Sequence, residues 1–197
     1  MNVGITGGMG SGKSTAAKIF EALGIPVFYA DDESKKLLDT NVLVKEKLTS
    51  RFGVELYKNE QLDRAFLANQ IFNNSEALAF VNGVVHPAVA ERYNNWCAEQ
   101  TAPYGLKEAA ILFETGSYKD LDKTILVVAD EALRVERVKK RNGWTRDEVL
   151  ARMKNQWEDS EKIPLADFVI YNNEKEMLTP QILKIHENLI RSANQKS

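Results

Sequence analysis

Gly7-Gly8-Met9-Gly10-Ser11-Gly12-Lys13-Ser14 is a run whose residue types suit one chemistry, the holding of a phosphate chain. It has the form G-x-x-x-x-G-K-[ST] in the setting that form needs. The apolar run Val3-Gly4-Ile5 precedes it, and Thr15-Ala16-Ala17-Lys18-Ile19-Phe20 follows with the pattern of an amphipathic helix. Glycines let successive backbone N–H groups turn inward on phosphate oxygens, at the positive end of the next helix. Gly8, Met9, Gly10, Ser11, Gly12, Lys13, Ser14 and Thr15 are the expected contacts to a nucleoside triphosphate. Lys13 can reach the β/γ-phosphates, and the Ser14 hydroxyl can ligate Mg²⁺.

Other side chains could complete a phosphoryl transfer, which needs an oriented nucleophile, a proton acceptor and charge neutralisation. Asp31 and Asp32 follow an apolar run at 25–29, at the same sheet edge as the phosphate loop. Either can serve as the carboxylate, or both can cap a helix starting near Glu33. Glu114 ends the run 106–113, so it can hold a metal-bound water or a substrate group. Between Arg134 and Lys154 stand eight basic residues against three acidic ones. Arg134, Arg137 and Arg141 are spaced to share one side of a helix, which suggests a lid that brings arginines to the transferring group. Arg137 and Arg141 are the first choices. His86, before Pro87, has no Cys or His partner for a metal site. Trp96, Trp144 and Trp157 could stack on a purine but read first as packing residues.

The elements that must position these groups follow from composition and periodicity. The chain has 197 residues, 44% hydrophobic and 27% charged, with net charge −2. That balance allows a sizeable core and gives no global attraction to nucleic acid or membrane. A single cysteine, Cys97, fits a reducing compartment. No stretch approaches 18 apolar residues and the N-terminus lacks a signal-peptide pattern, so a cytoplasmic protein is expected. Strands are predicted at 25–29, 106–113, 124–129 and 168–171, besides the one before the phosphate loop. They alternate with helical patterns, which implies a parallel sheet covered by helices. Thr145 to Glu148 has capping-box spacing, and Thr179-Pro180 places a hydroxyl cap before a first-turn proline. About 75 residues between Tyr29 and Leu106 show helical patterns (37–52, 62–72, 77–93) and no convincing strand. That segment reads as a helical insertion beside the phosphate site, placed to hold the second substrate.

Taken in order, these residues resemble the dephospho-CoA kinase family. The resemblance rests on Ile5-Thr6-Gly7-Gly8-Met9-Gly10-Ser11-Gly12-Lys13-Ser14-Thr15, Leu23-Gly24, Ala30-Asp31, Phe52-Gly53 and Leu62-Asp63-Arg64. Val85-His86-Pro87, Leu112-Phe113-Glu114, and Ala166-Asp167-Phe168-Val169-Ile170 leading to Asn172 complete it. It covers about residues 1–173. It implies an α/β fold of P-loop kinase type, one domain over 1–197 with a core at about 1–30, 101–130 and 161–197. A helical acceptor-binding region at about 31–100 and a lid at about 131–160 are implied with it. The implied reaction moves the ATP γ-phosphoryl group to the ribose 3′-hydroxyl of dephospho-CoA, with Mg²⁺. Asp31 matches the family's general base, with Lys13, Arg137 and Arg141 as the other catalytic groups. Lys35, His86 and Glu114 are implied acceptor contacts. Two departures stand out: Lys35 replaces a usual arginine and lacks its bidentate fork, and Ala110 replaces a usual proline. The alternatives are a related kinase for a nucleoside monophosphate or small alcohol, and a GTP-dependent switch. The switch lacks an Asn-Lys-x-Asp element. No nucleic-acid or membrane partner is expected, and a monomer is favoured.

Overall fold

In the computed structural model, residues 1–72 and 74–196 are described. β1 (Asn2–Thr6) runs into the glycine loop and α1 (Lys13–Ala22), and β2 (Val27–Tyr29) follows. Next come α2 (Ala30–Thr40), α3 (Val42–Phe52), the two-residue strands β3 (Tyr57–Lys58) and β4 (Gln61–Leu62), α4 (Arg64–Ile71) and α5 (Ser75–Ala98). The chain continues through β5 (Gly105–Glu108), β6 (Lys123–Val128), α6 (Glu131–Asn142) and α7 (Arg146–Met153). It ends with α8 (Asp159–Lys162), β7 (Phe168–Tyr171) and α9 (Leu178–Lys196). Two compact units result, Met1–Tyr29 with Gln100–Ser197, and Ala30–Glu99. Among the described residues no helix is long and apolar enough to cross a membrane.

The first unit is built on a five-stranded parallel sheet in the order β2-β5-β1-β6-β7. Its central strands are buried on both faces, which is why β6 reads as a continuous apolar run. Ile125 and Val127 pack with Phe20 of α1 and with Ile182, Ile185 and Leu189 of α9. Leu126 and Val128 point the other way, onto Phe113 and Tyr118. α9 begins at Leu178, one residue before the expected Thr179 cap, so Pro180 sits inside the first turn, where its missing N–H costs nothing. The capping box at Thr145 forms as expected, with both reciprocal bonds present.

One strand differs from its prediction. β5 stops at Glu108, and residues 110–115 form turns, with Thr115 N–H donating to Ile111 O. The run Ala109-Ala110-Ile111-Leu112-Phe113 is apolar because Leu112 and Phe113 are buried beneath those turns. A short apolar run does not distinguish a strand from a buried turn. Glu114 is therefore not at a strand end.

Asp167 explains its own place in the Ala166-Asp167 motif. Its Oδ2 accepts from the Thr124 N–H (2.8 Å) and hydroxyl (3.1 Å), while the Asp167 N–H donates back to Thr124 Oγ1 at 3.1 Å. Lys123 Nζ donates to Oδ1 at 2.7 Å. This clamp sets the register between β6 and β7. Partial burial alone would push the Asp167 carboxyl up, but the Lys123 and Thr124 hydrogen bonds outweigh it and hold it below the ordinary 3.8. A carboxylate with a depressed folded value stabilises the fold above its unfolded value, and that contribution is lost as pH falls through the folded one. Asp167→Ala is expected to cost about 2 kcal/mol at neutral pH. In urea unfolding, the gap to the parent chain should shrink progressively once pH drops below about 4.

In the second unit, Val44, Leu48, Leu56, Leu62, Leu67, Val81 and Val85 form the core. The single helical pattern predicted over 37–52 is two helices, because the Asn41 side chain accepts the Val44 N–H and starts α3 afresh. β3 and β4 form a hairpin where no strand was expected. Its turn residues Asn59 and Glu60 both lie at positive φ, 49° and 64°. A two-residue turn of that kind usually announces itself with glycine, and here none is present. Asp31 and Asp32 lie inside the first turn of α2, so neither is the N-cap of a helix starting near Glu33.

Candidate active site

The phosphate loop is shaped by the backbone groups it must expose. Gly12 sits at φ 96° as the N-cap of α1 and supplies no side-chain acceptor, so the first N–H groups of α1 are left for an anion. A Cβ at Gly12 would also collide with the Asn172 amide, which donates to Ser11 O at 2.7 Å. Asn172 thus ties the end of β7 to the loop. A cavity of about 170 Å³ opens here, lined by Gly8, Gly10, Gly12, Lys13, Ser14 and Thr15, and across from them Arg137, Val138 and Arg141.

Met9 and Ser11, expected among the nucleotide contacts, do not line it. The Met9 N–H is committed to Gln156 Oε1 at 2.7 Å, and Ser11 is fully buried with its N–H on Gly8 O. Arg134, grouped by spacing with Arg137 and Arg141, is also spent elsewhere. It donates through Nε to Met9 O at 3.0 Å and pairs with Asp159 at 3.4 Å. Burial raises the Asp159 carboxyl above its ordinary value, although the Arg134 and Lys162 charges pull the other way. Arg137 donates to Asn172 O at 3.0 Å and pairs with Glu174 at 3.1 Å. Arg141 donates to Asn142 Oδ1.

Glu108 was missed by the sequence reading. Its Oε1 lies 3.2 Å from the Ser14 hydroxyl and 3.4 Å from Lys13 Nζ, and the residue is 4% exposed. It ends β5, in register with Ile5 of β1, so the sheet delivers it beside the phosphate loop. The rule applied to Glu114, an acidic residue closing a strand next to the loop, finds Glu108 once the strand end is known. Glu114 itself accepts the Trp157 N–H at 3.2 Å and pairs at 3.1 Å with Lys162, whose side chain is wholly buried. Both contacts fall on Oε1, while Oε2 is buried with no hydrogen-bond partner among the described residues.

The remaining expected residues belong to the second unit. Asp31 is exposed in the first turn of α2, two residues after Tyr29, whose register partner is Glu108. Lys35 is exposed and donates to Asp32 at 2.7 Å, and His86 is exposed midway along α5. Trp96 stacks on Tyr93 and Trp144 lies under Arg152, so both have packing partners.

A parallel sheet that delivers Lys13, Ser14 and Glu108 to one end, faced by two arginines of α6, defines a P-loop kinase. Comparison with known proteins narrows that class. A family model described as dephospho-CoA kinase matches residues 1–177. The dephospho-CoA kinase of Bacteroides fragilis (strain YCH46) is 36% identical over 187 residues, covering 94% of this chain and 91% of that one. The crystal structure of TT1252 from Thermus thermophilus superposes with a TM-score of 0.84 at 32% identity, over 98% of this chain and 97% of that one. Dephospho-CoA kinase from Campylobacter jejuni gives 0.70 at 28% identity, over 97% and 98%. The chain belongs to the dephospho-CoA kinase family.

Proposed function

We infer that this chain phosphorylates dephospho-CoA with ATP, the last step of coenzyme A biosynthesis, and that its residues divide the work as follows. The loop amides and Lys13 hold the β- and γ-phosphates. Arg137 and Arg141, facing the same cavity, neutralise charge on the transferring group. Asp31 accepts the proton of the ribose 3′-hydroxyl, so that CoA and ADP leave. Lys35 and His86 bind the acceptor, within a helical region at about 31–100. The observation that carries this reading is the convergence of Lys13, Ser14, Arg137 and Arg141 on one phosphate-sized cavity, in a chain matched by the family model over residues 1–177.

A kinase that uses ATP works with a divalent metal, and we take it to be Mg²⁺. Ser14 Oγ and Glu108 Oε1 form a hard oxygen pair at the cavity, the donor type Mg²⁺ prefers. Among the described residues no three His, Cys, Asp or Glu side chains gather to hold a metal alone. That suits an ion bound largely through the nucleotide's phosphates. Ser14 and Glu108 would help to hold the ion there, and its positive charge would offset that of the phosphates. We take the chain to be a cytoplasmic monomer; the single cysteine fits a reducing compartment, and the net charge of −2 gives no global attraction to nucleic acid or membrane.

Purified protein with ATP and Mg²⁺ is expected to release ADP stoichiometrically with dephospho-CoA consumed, and to lose this turnover in EDTA. Release driven by nucleoside monophosphates and not by dephospho-CoA would reject the assignment.

A further inference from the structure

The tip of the phosphate loop, Met9, does not line the cavity and is gripped by side chains from elsewhere in the chain. Both backbone groups of Met9 are taken by side chains, one from within α6 and one from just past α7. Arg134, in the first turns of α6, donates through Nε to Met9 O at 3.0 Å. Gln156, three residues past α7, accepts the Met9 N–H at 2.7 Å and donates through Nε2 to Ala110 O at 3.2 Å. Gly8 is part of the same fit, since a Cβ there would run into the Arg134 guanidinium.

Each grip is itself anchored. Arg134 pairs with Asp159, and one helical turn on, the buried Lys162 pairs with Glu114. Glu114 also accepts the Trp157 N–H, next to Gln156. Two cations and two carboxylates therefore balance beneath the loop and fix the segment that carries Gln156. The helical pair cannot shift as a body without dragging Met9 or releasing it. Gly10, which follows Met9, lines the cavity at φ 80° and depends on the orientation of that peptide.

We propose that Gln156 is a positioning residue for nucleotide binding: by holding Met9 N–H and Ala110 O together, it sets the loop in its phosphate-binding shape and couples it to the seating of α6–α7. The chemistry calls for an amide. Met9 N–H needs an acceptor and Ala110 O needs a donor, and a carboxamide supplies both from one side-chain group. A carboxylate could serve Met9 only and would oppose the Ala110 carbonyl. The proposal rests on the reading of the loop as the ATP site and is independent of which acceptor is used.

The test is direct binding of MgADP and MgATP to the full chain by titration calorimetry, with thermal unfolding in parallel. Gln156→Ala is expected to weaken both nucleotides about tenfold, roughly the value of one hydrogen-bond-sized contribution. Its KM for ATP should rise accordingly, with kcat and the acceptor KM nearly unchanged. Gln156→Glu should be as impaired at pH 8, and its MgADP affinity relative to the parent chain should recover toward pH 5. A protonated carboxyl offers one donor and one acceptor like the amide it replaces. A purely structural role would lower the unfolding midpoint and show no such pH-dependent recovery. Nucleotide affinity unchanged in both variants, or a Gln156→Glu deficit that is flat in pH, would overturn the proposal. Because nucleotide binding is read without acceptor, a chain that phosphorylated a different alcohol would still pass this test.

Discussion

Asp31→Asn is expected to lower turnover with dephospho-CoA by about 10²–10⁴-fold, the usual worth of a positioned general base. Asparagine keeps the size of aspartate and one oxygen acceptor, so the acceptor hydroxyl can still be oriented, but no proton can be taken up. Phosphoryl transfer passes through a loose transition state in which the nucleophile's proton leaves late. A value toward the lower end of the range is therefore the more natural outcome. Asp31 is exposed on the first turn of α2, and among the described residues its side chain has no hydrogen bond or ion pair to lose. ATP affinity and the unfolding midpoint should stay at parental values. Asp32→Asn is the control. Asp32 pairs with Lys35 where both side chains are 62% exposed, a contact of little energetic consequence. Its turnover should change by less than about threefold, given the small worth of exposed pairs. Full activity in Asp31→Asn would remove this residue from the base role.

Lys13→Met should reduce kcat/KM for ATP by about 10³-fold, the scale seen when a preorganised charge aimed at a reacting group is removed. Methionine preserves most of the aliphatic stem and favours helix, so α1 should start where it does now. What disappears is the ammonium at the mouth of a cavity of about 170 Å³, where the phosphates would sit. In the absence of nucleotide that ammonium lies 3.4 Å from Glu108 Oε1, with both side chains largely buried. The lysine thus neutralises the same carboxylate proposed to help hold the metal, and it is free to turn to phosphate when a cation takes its place. Removing it leaves Glu108 with less positive charge nearby. A modest fall in unfolding midpoint is expected, and added Mg²⁺ should recover part of it. Lys13→Arg should rescue little, because a planar fork presents its donors differently from a compact ammonium. Near-parental kcat/KM in Lys13→Met would contradict the assignment of the cavity.

Much of the fold was readable from pattern. β1, β6 and β7 lie within a residue or two of their predicted spans; for the central strands β1 and β6 the reason is that strands buried on both faces must be apolar throughout. The α7 capping box was equally plain, since all its groups fall within four residues. The failures have a common cause. β5 was drawn five residues too long because turn residues over a buried Phe113 are as apolar as a strand. The α2–α3 break depended on one asparagine side chain, and the β3–β4 turn on non-glycine residues at positive φ. Each is a local choice between conformations of similar intrinsic preference, resolved by packing around it.

The same division runs through the site. Gly12, Lys13 and Ser14 declare a phosphate loop at once, because their task depends on backbone angles and side chains within one short run. Glu108 reaches Ser14 across 94 positions, Arg134 reaches Met9 across 125, and Gln156 reaches Met9 across 147. Periodicity put three arginines on one side of a helix. Packing then sent Arg134 beneath the loop and left Arg137 and Arg141 facing the cavity. Short-range geometry is written in neighbouring residues. Partners brought together from opposite ends of the chain are chosen by burial, which spends a charge wherever the fold leaves a matching group within reach.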